Sequence, residues 1–377
     1  MFDRPYWTKR IQEGWERRSL VWLVGVRRVG KTVLCRSLEG TEYLDCELPS
    51  VRRVLAEPES FLRQMRGKRV VLDEVHRLPD PSELLKIATD HFPDVRIVAT
   101  GSSTLQATTK FRDSLSGRKE EVWLTPMIEA DRRSAGGDLR TRLARGGLPS
   151  FYLEEPSERD FQEWLDAYWA RDIQELFRVE RRASFVRFVE LVLARSGGIF
   201  EATAFATPAE VSRPTISNYL AVLETTKVAH VVRPFSTRRS AEIVRAPKVY
   251  GFDTGFVKTF RGWNELRAED LGLLWEHYIL NELAAAGISD VKYWRSAKQH
   301  EVDLVIAPRG RPPVAIECKW RADGREDLSG LAAFNRAYPE ATSLVVATEI
   351  DRSFERELST GKRVRYLGLD LLLETIS

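Results

Sequence analysis

The chain has 377 residues, 43% of them apolar, and 58 basic residues set against 55 acidic ones give a formal charge of +3. That length exceeds one ordinary domain and that apolar fraction excludes a disordered chain, so two or three packed domains are expected. The small charge excess permits a local basic surface for nucleic acid without requiring one. Cys35, Cys46 and Cys318 are too scattered for a disulfide framework or a zinc motif, and no stretch reaches the roughly 18–20 apolar residues of a membrane helix. "MFDRPYWTKR" has no apolar h-region, so a reduced, cytoplasmic protein without a membrane role is expected.

From residue 19 to 135, short apolar runs alternate with amphipathic ones. "SLVWLVG", "EYLDCEL", "RVVLDEV" and "DVRIVATGSS" read as buried strands, with "KTVLCRSL" and "PSELLKIATDHF" as helices between them. Continuous apolar strands of this kind predict a parallel sheet covered on both faces, an α/β nucleotide-binding layout.

"GVRRVGKT" then fits G-x-x-x-x-G-K-[ST] without deviation, after a strand and opening a helix. Gly25 and Gly30 allow the tight turn, and the backbone from Gly25 through Val26, Arg27, Arg28 and Val29 to Val33 is expected to wrap the phosphates of ATP. Lys31 reaches the β- and γ-phosphates, and the Thr32 hydroxyl is a Mg²⁺ ligand. In "RVVLDEVHRL", Asp73 ends an apolar strand where a carboxylate holds the Mg²⁺ shell, and Glu74 is the candidate general base. Thr100 and Ser102 end the next strand, as candidate γ-phosphate or water contacts.

"GVRRVGKT", "VVLDEVHRLP" and "VATGSS", followed by "DSLSGRKEEVWLTPM", resemble AAA+ ATPases. More narrowly, with "GGLPS", "AYWARDI", "ISNYLAVLE" and "KVYGFDTGF", the chain resembles a bacterial and archaeal AAA+ family with a C-terminal domain of uncharacterised role. The resemblance implies an arginine, here Arg118 of "SLSGR", inserted into a neighbour's site, with Arg112 nearby as a competitor. It also implies a ring-like homo-oligomer, a hexamer. The expected organisation is an AAA+ P-loop core at 1–135, a helical lid at 136–196, a winged helix-turn-helix at 197–251 and a final α/β domain at 252–377.

In the middle, "ATPAEVSRPTISNYLAVLETTKVAHVV" reads as helix–turn–helix. Ile216, Tyr219, Leu220 and Leu223 form one packed face, while Thr215, Ser217 and Asn218 are free to meet bases. "RPFSTRRSAEIVRAPK" follows as a hairpin wing carrying Arg233, Arg238, Arg239, Arg245 and Lys248 toward phosphates.

"EVDLVIAPRGRPPVAIECKW" folds as a hairpin centred on Gly310, setting Asp303 opposite Glu317 with Cβ atoms about 5 Å apart. Lys319 shares that face. Two opposed carboxylates call for a neutralising cation, and Glu276, on an otherwise apolar helix face, is a third. Glu276, Asp303, Glu317 and Lys319 in this order resemble the PD-(D/E)XK nuclease constellation, which implies Mg²⁺ on the three acids and Lys319 at the reacting phosphate. The leading expectation is an ATP-hydrolysing, oligomeric DNA-remodelling or DNA-processing protein acting on DNA, branched forms included. Two alternatives stay open: the nuclease fold grips DNA silently, or the protein is a nucleotide-gated switch acting on a protein partner.

Overall fold

The computed structural model describes residues 2–101, 109–174, 181–237, 246–322, 324 and 326–376, except for the side chains of 109, 110 and 112. They form two compact units, Met1–Val186 with Tyr219–Val228, and Arg187–Asn218 with Ala229–Ser377. Among the described residues, no helix is long and apolar enough to cross a membrane, and the three cysteines are buried and free.

The first unit is built on a five-stranded sheet, β1 (Leu20–Val24), β2 (Thr41–Asp45), β3 (Arg69–Asp73), β4 (Arg96–Thr100) and β5 (Lys119–Trp123). Their order is β2-β3-β4-β1-β5, and every neighbouring pair is parallel. All five residues of β1 are buried, as a strand covered on both faces must be. β5 has no counterpart among the predicted strands, because only Val122 of "KEEVW" is fully buried and the remaining side chains are polar or half-buried. Registers such as Leu23↔Thr100 and Leu72↔Ala99 bring the C-terminal ends of β1, β3 and β4 level. Whatever follows those three ends therefore meets along one edge, the usual ligand edge of a parallel sheet.

The second unit carries a nine-stranded mixed sheet: β6 (Gly198–Ile199), β7 (Ala229–Pro234), β8 (Lys248–Gly251), β9 (Val291–Arg295), β10 (Glu301–Ile306), β11 (Val314–Lys319), β12 (Thr342–Ala347), β13 (Phe354–Glu357) and β14 (Arg363–Leu367). The order is β13-β14-β12-β11-β10-β9-β7-β8-β6. β10 and β11 are antiparallel with Leu304↔Ile316, Val305↔Ala315 and Ile306↔Val314, the register expected from a turn centred on Gly310. β7 and β8 pair antiparallel, and β7 also pairs in parallel with β9 (Arg233↔Lys292). It is thus part of the large sheet rather than a free-standing arm. All of β8 is buried, Lys248 included. Arg238, Arg239 and Arg245 lie outside the described residues. The helix Ala268–Ala285 is buried on almost every side from Asp270 onward, and its Trp275 indole donates to the Val346 carbonyl at 3.0 Å. The overall class is α/β, a parallel P-loop-type sheet and a separate mixed-sheet domain.

Candidate functional site

A cavity of about 720 Å³ opens at the shared strand edge of the first unit, lined by Gly25, residues 27–33, Asp73, Glu74 and His76 among others. The loop after β1 has a tight fit. A Cβ on Gly25 would lie 2.4 Å from the Leu124 carbonyl oxygen, and Gly30 has φ +100°, so both glycines are required by geometry. Arg28 is also left-handed, at φ 62°. Val26 and Val29 are buried and fix the loop to the core, so Val26 contributes support rather than cavity surface.

The loop is held from three directions. Arg4, 7% exposed, donates through Nη1 to the Val29 carbonyl at 2.8 Å and grips both Asp131 oxygens at 3.0 and 2.6 Å. Trp164 Nε1 donates to the Arg27 carbonyl at 3.0 Å. Arg27 Nε pairs with Asp172 at 3.1 Å, in a π-helical turn spanning Trp169–Ile173. A single wide turn in a helix is a frequent mark of a functional position. "AYWARDI" was visible in the sequence, but the role of Asp172 was not.

Lys31 Nζ donates to the carbonyls of Gly25 (2.7 Å) and Val26 (3.3 Å). Burial pushes its ammonium below the ordinary value, against the pull of Glu74 and Asp172. Asp73 is 2% exposed, and both of its oxygens are engaged: Tyr43 OH donates at 2.7 Å to one and the Thr100 hydroxyl to the other. Thr100 also accepts the Glu74 backbone N–H at 3.0 Å. Fully buried, Thr100 thus links the two acids. Ser102 lies outside the described residues.

Glu74 sits at φ 57°, ψ 46°, a strained conformation for a residue with a side chain. Its carboxylate is 3.1 Å from His76 Nδ1. Burial pushes the Glu74 carboxyl up, but His76 and Lys31 together hold it below the ordinary carboxylate value. Val33 is 43% exposed at the cavity rim, and Thr32 lines the wall. Arg118 does not line this cavity. It makes a two-pronged pair with Asp90, at 2.7 and 3.2 Å, on the protein surface, and the Arg112 side chain is outside the described set.

The acids of the second unit are gathered beside two lysines, Lys248 and Lys319. Among the described residues, no three His, Cys, Asp or Glu side chains are grouped to hold a metal ion. Glu276, Asp303 and Glu317 nevertheless lie near enough for the Asp303 charge to raise both glutamates, and each has a protein partner. Tyr250 OH donates to Glu276, Lys319 Nζ sits 2.8 Å from Glu317, and the Cys318 N–H donates to Asp303 at 2.8 Å. Lys248, assigned from sequence to an exposed wing, is 6% exposed and pairs with Glu301 and, at 3.8 Å, Glu276. Burial holds the Glu276, Asp303 and Glu317 carboxyls above their ordinary values. Glu317 Oε2 is buried with no hydrogen-bond partner.

Comparison with known proteins follows this division. Residues 17–130 match the family described as AAA domain, while 136–267 and 271–366 match two domains of unknown function, DUF8612 and DUF4143. Two mycobacterial proteins, uncharacterized protein Rv2008c of Mycobacterium tuberculosis and Mb2031c of Mycobacterium bovis, are each 30% identical, covering 83% of this chain and 73% of theirs. The Walker-type ATPase PABY2304 of Pyrococcus abyssi is similar at 18% identity, over 69% of this chain and 96% of that one, with a TM-score of 0.43. With the phosphate loop, the paired acids and the parallel sheet in place, the chain is an AAA-domain protein of the P-loop ATPase fold and belongs to the family of Rv2008c and Mb2031c.

Proposed function

We propose that the protein binds and hydrolyses ATP in the P-loop cavity and couples turnover to gripping or remodelling DNA. The observation that carries the ATPase reading is the convergence of Lys31, Asp73 and Glu74 on one cavity whose loop backbone is fixed by buried contacts. Lys31 and the loop N–H groups bind phosphate oxygens. The Thr32 hydroxyl and the Asp73 carboxylate are hard oxygen donors on the cavity wall and suit Mg²⁺, which when bound offsets phosphate charge. Glu74, held ionised, takes the proton of the attacking water. Tyr43 and Thr100 keep Asp73 from rotating, and His76 does the same for Glu74. His76→Ala is accordingly expected to lower kcat roughly tenfold with little change in KM for ATP, the usual cost of losing an orienting partner. A matched fall in affinity would assign His76 to nucleotide binding instead.

The DNA reading rests on the segment that reads as helix–turn–helix in the sequence. On the helix Arg213–Thr225, Ile216, Tyr219, Leu220 and Leu223 are buried while Arg213, Ser217 and Asn218 are exposed, and Arg233 is exposed on β7. That pattern supports a winged-helix module reading DNA. The lysine-neutralised acids favour a nuclease-like domain that grips DNA without cutting it over one that uses Mg²⁺ there. Arg118, held at the surface by Asp90, is proposed to serve a neighbouring subunit of a hexameric homo-oligomer.

The test is ATPase rate and DNA affinity with short linear and four-way-junction DNA at two salt concentrations. Stimulation is expected, with affinity falling about tenfold or more between roughly 50 and 200 mM salt. No DNA binding at either salt would refute this reading and favour a nucleotide-gated switch acting on a protein partner.

A further inference from the structure

The buried polar cluster of the second unit contains a cation that no motif in the chain announces. Lys248 comes from β8, at the far side of the sheet order from β10 and β11. Its ammonium ion-pairs with Glu301, approaches Glu276 at 3.8 Å and lies 5.6 Å over the Tyr293 ring. Arg295 Nε stands 3.6 Å from the other Glu301 oxygen. An ammonium is a compact point charge with three donors, and at 6% exposure it persists only if acids surround it. Tyr250 donates to Glu276, the Cys318 N–H to Asp303, and Lys319 pairs with Glu317, so two ammonium groups already stand among these acids. A small divalent cation needs several oxygens closing on it together, and here an ammonium occupies that neighbourhood and repels a second positive charge.

We propose that Lys248 is the resident cation of this cluster, tying β8 to β10 and to the helix Ala268–Ala285, so that the acids form a metal-independent anchor rather than a divalent-ion site. The proposal stands whether or not the protein binds DNA or hydrolyses ATP. It accounts for two features together: the complete burial of a lysine in a strand that reads as a surface wing, and the absence of a three-acid group among the described residues. Glu317 Oε2 is buried without a hydrogen-bond partner, and the Lys319 ammonium 2.8 Å from its sister oxygen opposes a second cation there as Lys248 does beside Glu276.

The experiment uses the full chain without nucleotide, titrated with Mn²⁺ and followed by calorimetry, by the resonance signal of unbound Mn²⁺ and by thermal unfolding. The wild type, Asp303→Asn and Glu317→Gln are compared with Lys248→Met, a similar shape without charge. Any Mn²⁺ held near Thr32 and Asp73 is common to all four, so differences report on the cluster. The wild type and the two acid variants are expected to bind Mn²⁺ identically. Lys248→Met is expected to melt lower than the wild type and to regain stability with Mn²⁺, with affinity at least tenfold above the wild type, an effect removed by adding Asp303→Asn. A wild-type Mn²⁺ site that disappears in Asp303→Asn or Glu317→Gln overturns the proposal. So does a folded Lys248→Met that gains no Mn²⁺ affinity. Where Lys248→Met does not fold, the wild-type comparison with the two acid variants decides the matter alone, and Lys248→Arg, which keeps the charge, is expected to fold and to ignore Mn²⁺.

Discussion

Glu74→Gln is expected to bind ATP as the wild type does and to hydrolyse it about 10²–10⁴ times more slowly, the range for removing a positioned general base. The substitution keeps the size and the left-handed backbone of the residue, φ 57°, so the loop should not shift. What it removes is the negative charge beside Lys31 and His76. Asp73→Asn should behave differently. It breaks the arrangement in which Tyr43 and Thr100 hold both carboxylate oxygens, and it is expected to weaken Mg²⁺-dependent nucleotide binding as well as turnover. Binding of a fluorescent nucleotide alongside steady-state hydrolysis separates the two. Equal loss of affinity in both variants would remove Glu74 from the chemical step. The pH profile gives an independent check. Because the folded Glu74 value lies below the ordinary carboxylate one, the base is ionised above that ordinary value and is lost only as pH falls through the lowered one. Hydrolysis should therefore show no acid limb from this residue between about pH 6 and 8.

The second large effect is expected at Arg4, far from the phosphate loop in sequence. Its guanidinium closes a buried network: two bonds to Asp131, one to the Val29 carbonyl, with Trp7 Nε1 (3.0 Å) and the Ile128 N–H (3.1 Å) completing the Asp131 shell. Arg4→Ala leaves Asp131, 1% exposed, as an uncompensated buried charge. Breaking one side of such a pair costs about 3–5 kcal/mol, or a fall in Tm of roughly 6–20 °C for a unit of this size. ATP affinity should fall with it, because Val29 loses its tether. The double variant Arg4→Met/Asp131→Leu removes both charges and should recover part of the stability without recovering the affinity, since the bond to Val29 stays broken. Singles and double that simply add would show that the two residues act independently, contrary to the geometry.

The contrast between these two sites separates what is local in the chain from what is not. Glu74, Lys31, Thr32 and Asp73 were legible because each lies at the end of a continuous apolar strand or in the loop directly after one. A parallel sheet has only one edge where such ends can meet. The β10–β11 register was legible for a similar reason: a short turn leaves few ways to pair the strands that flank it, and Leu304↔Ile316 is the pairing that a turn centred on Gly310 gives. The same locality misled. It read the segment ending at Lys248 as a wing, because a hairpin looks alike whether or not its outer strand is paired further, whereas β7 also pairs with β9 and Lys248 is buried beside Glu301, Glu276 and Tyr293. Nor does strand-end position announce that the Thr100 hydroxyl bonds Asp73.

By itself, the order of residues determined the P-loop sheet, the nucleotide loop with its two acids and the hairpin of carboxylates, since each is specified within a few residues by backbone geometry and strand patterning. Tertiary structure alone decided which charges are paired. Arg4 meets Asp131 across 127 positions, Arg27 meets Asp172 across 145, and Lys248 reaches Glu301 from another part of the sheet. A buried charge is stable only beside its partner, and that partner is chosen by how distant segments stack, which no local pattern encodes.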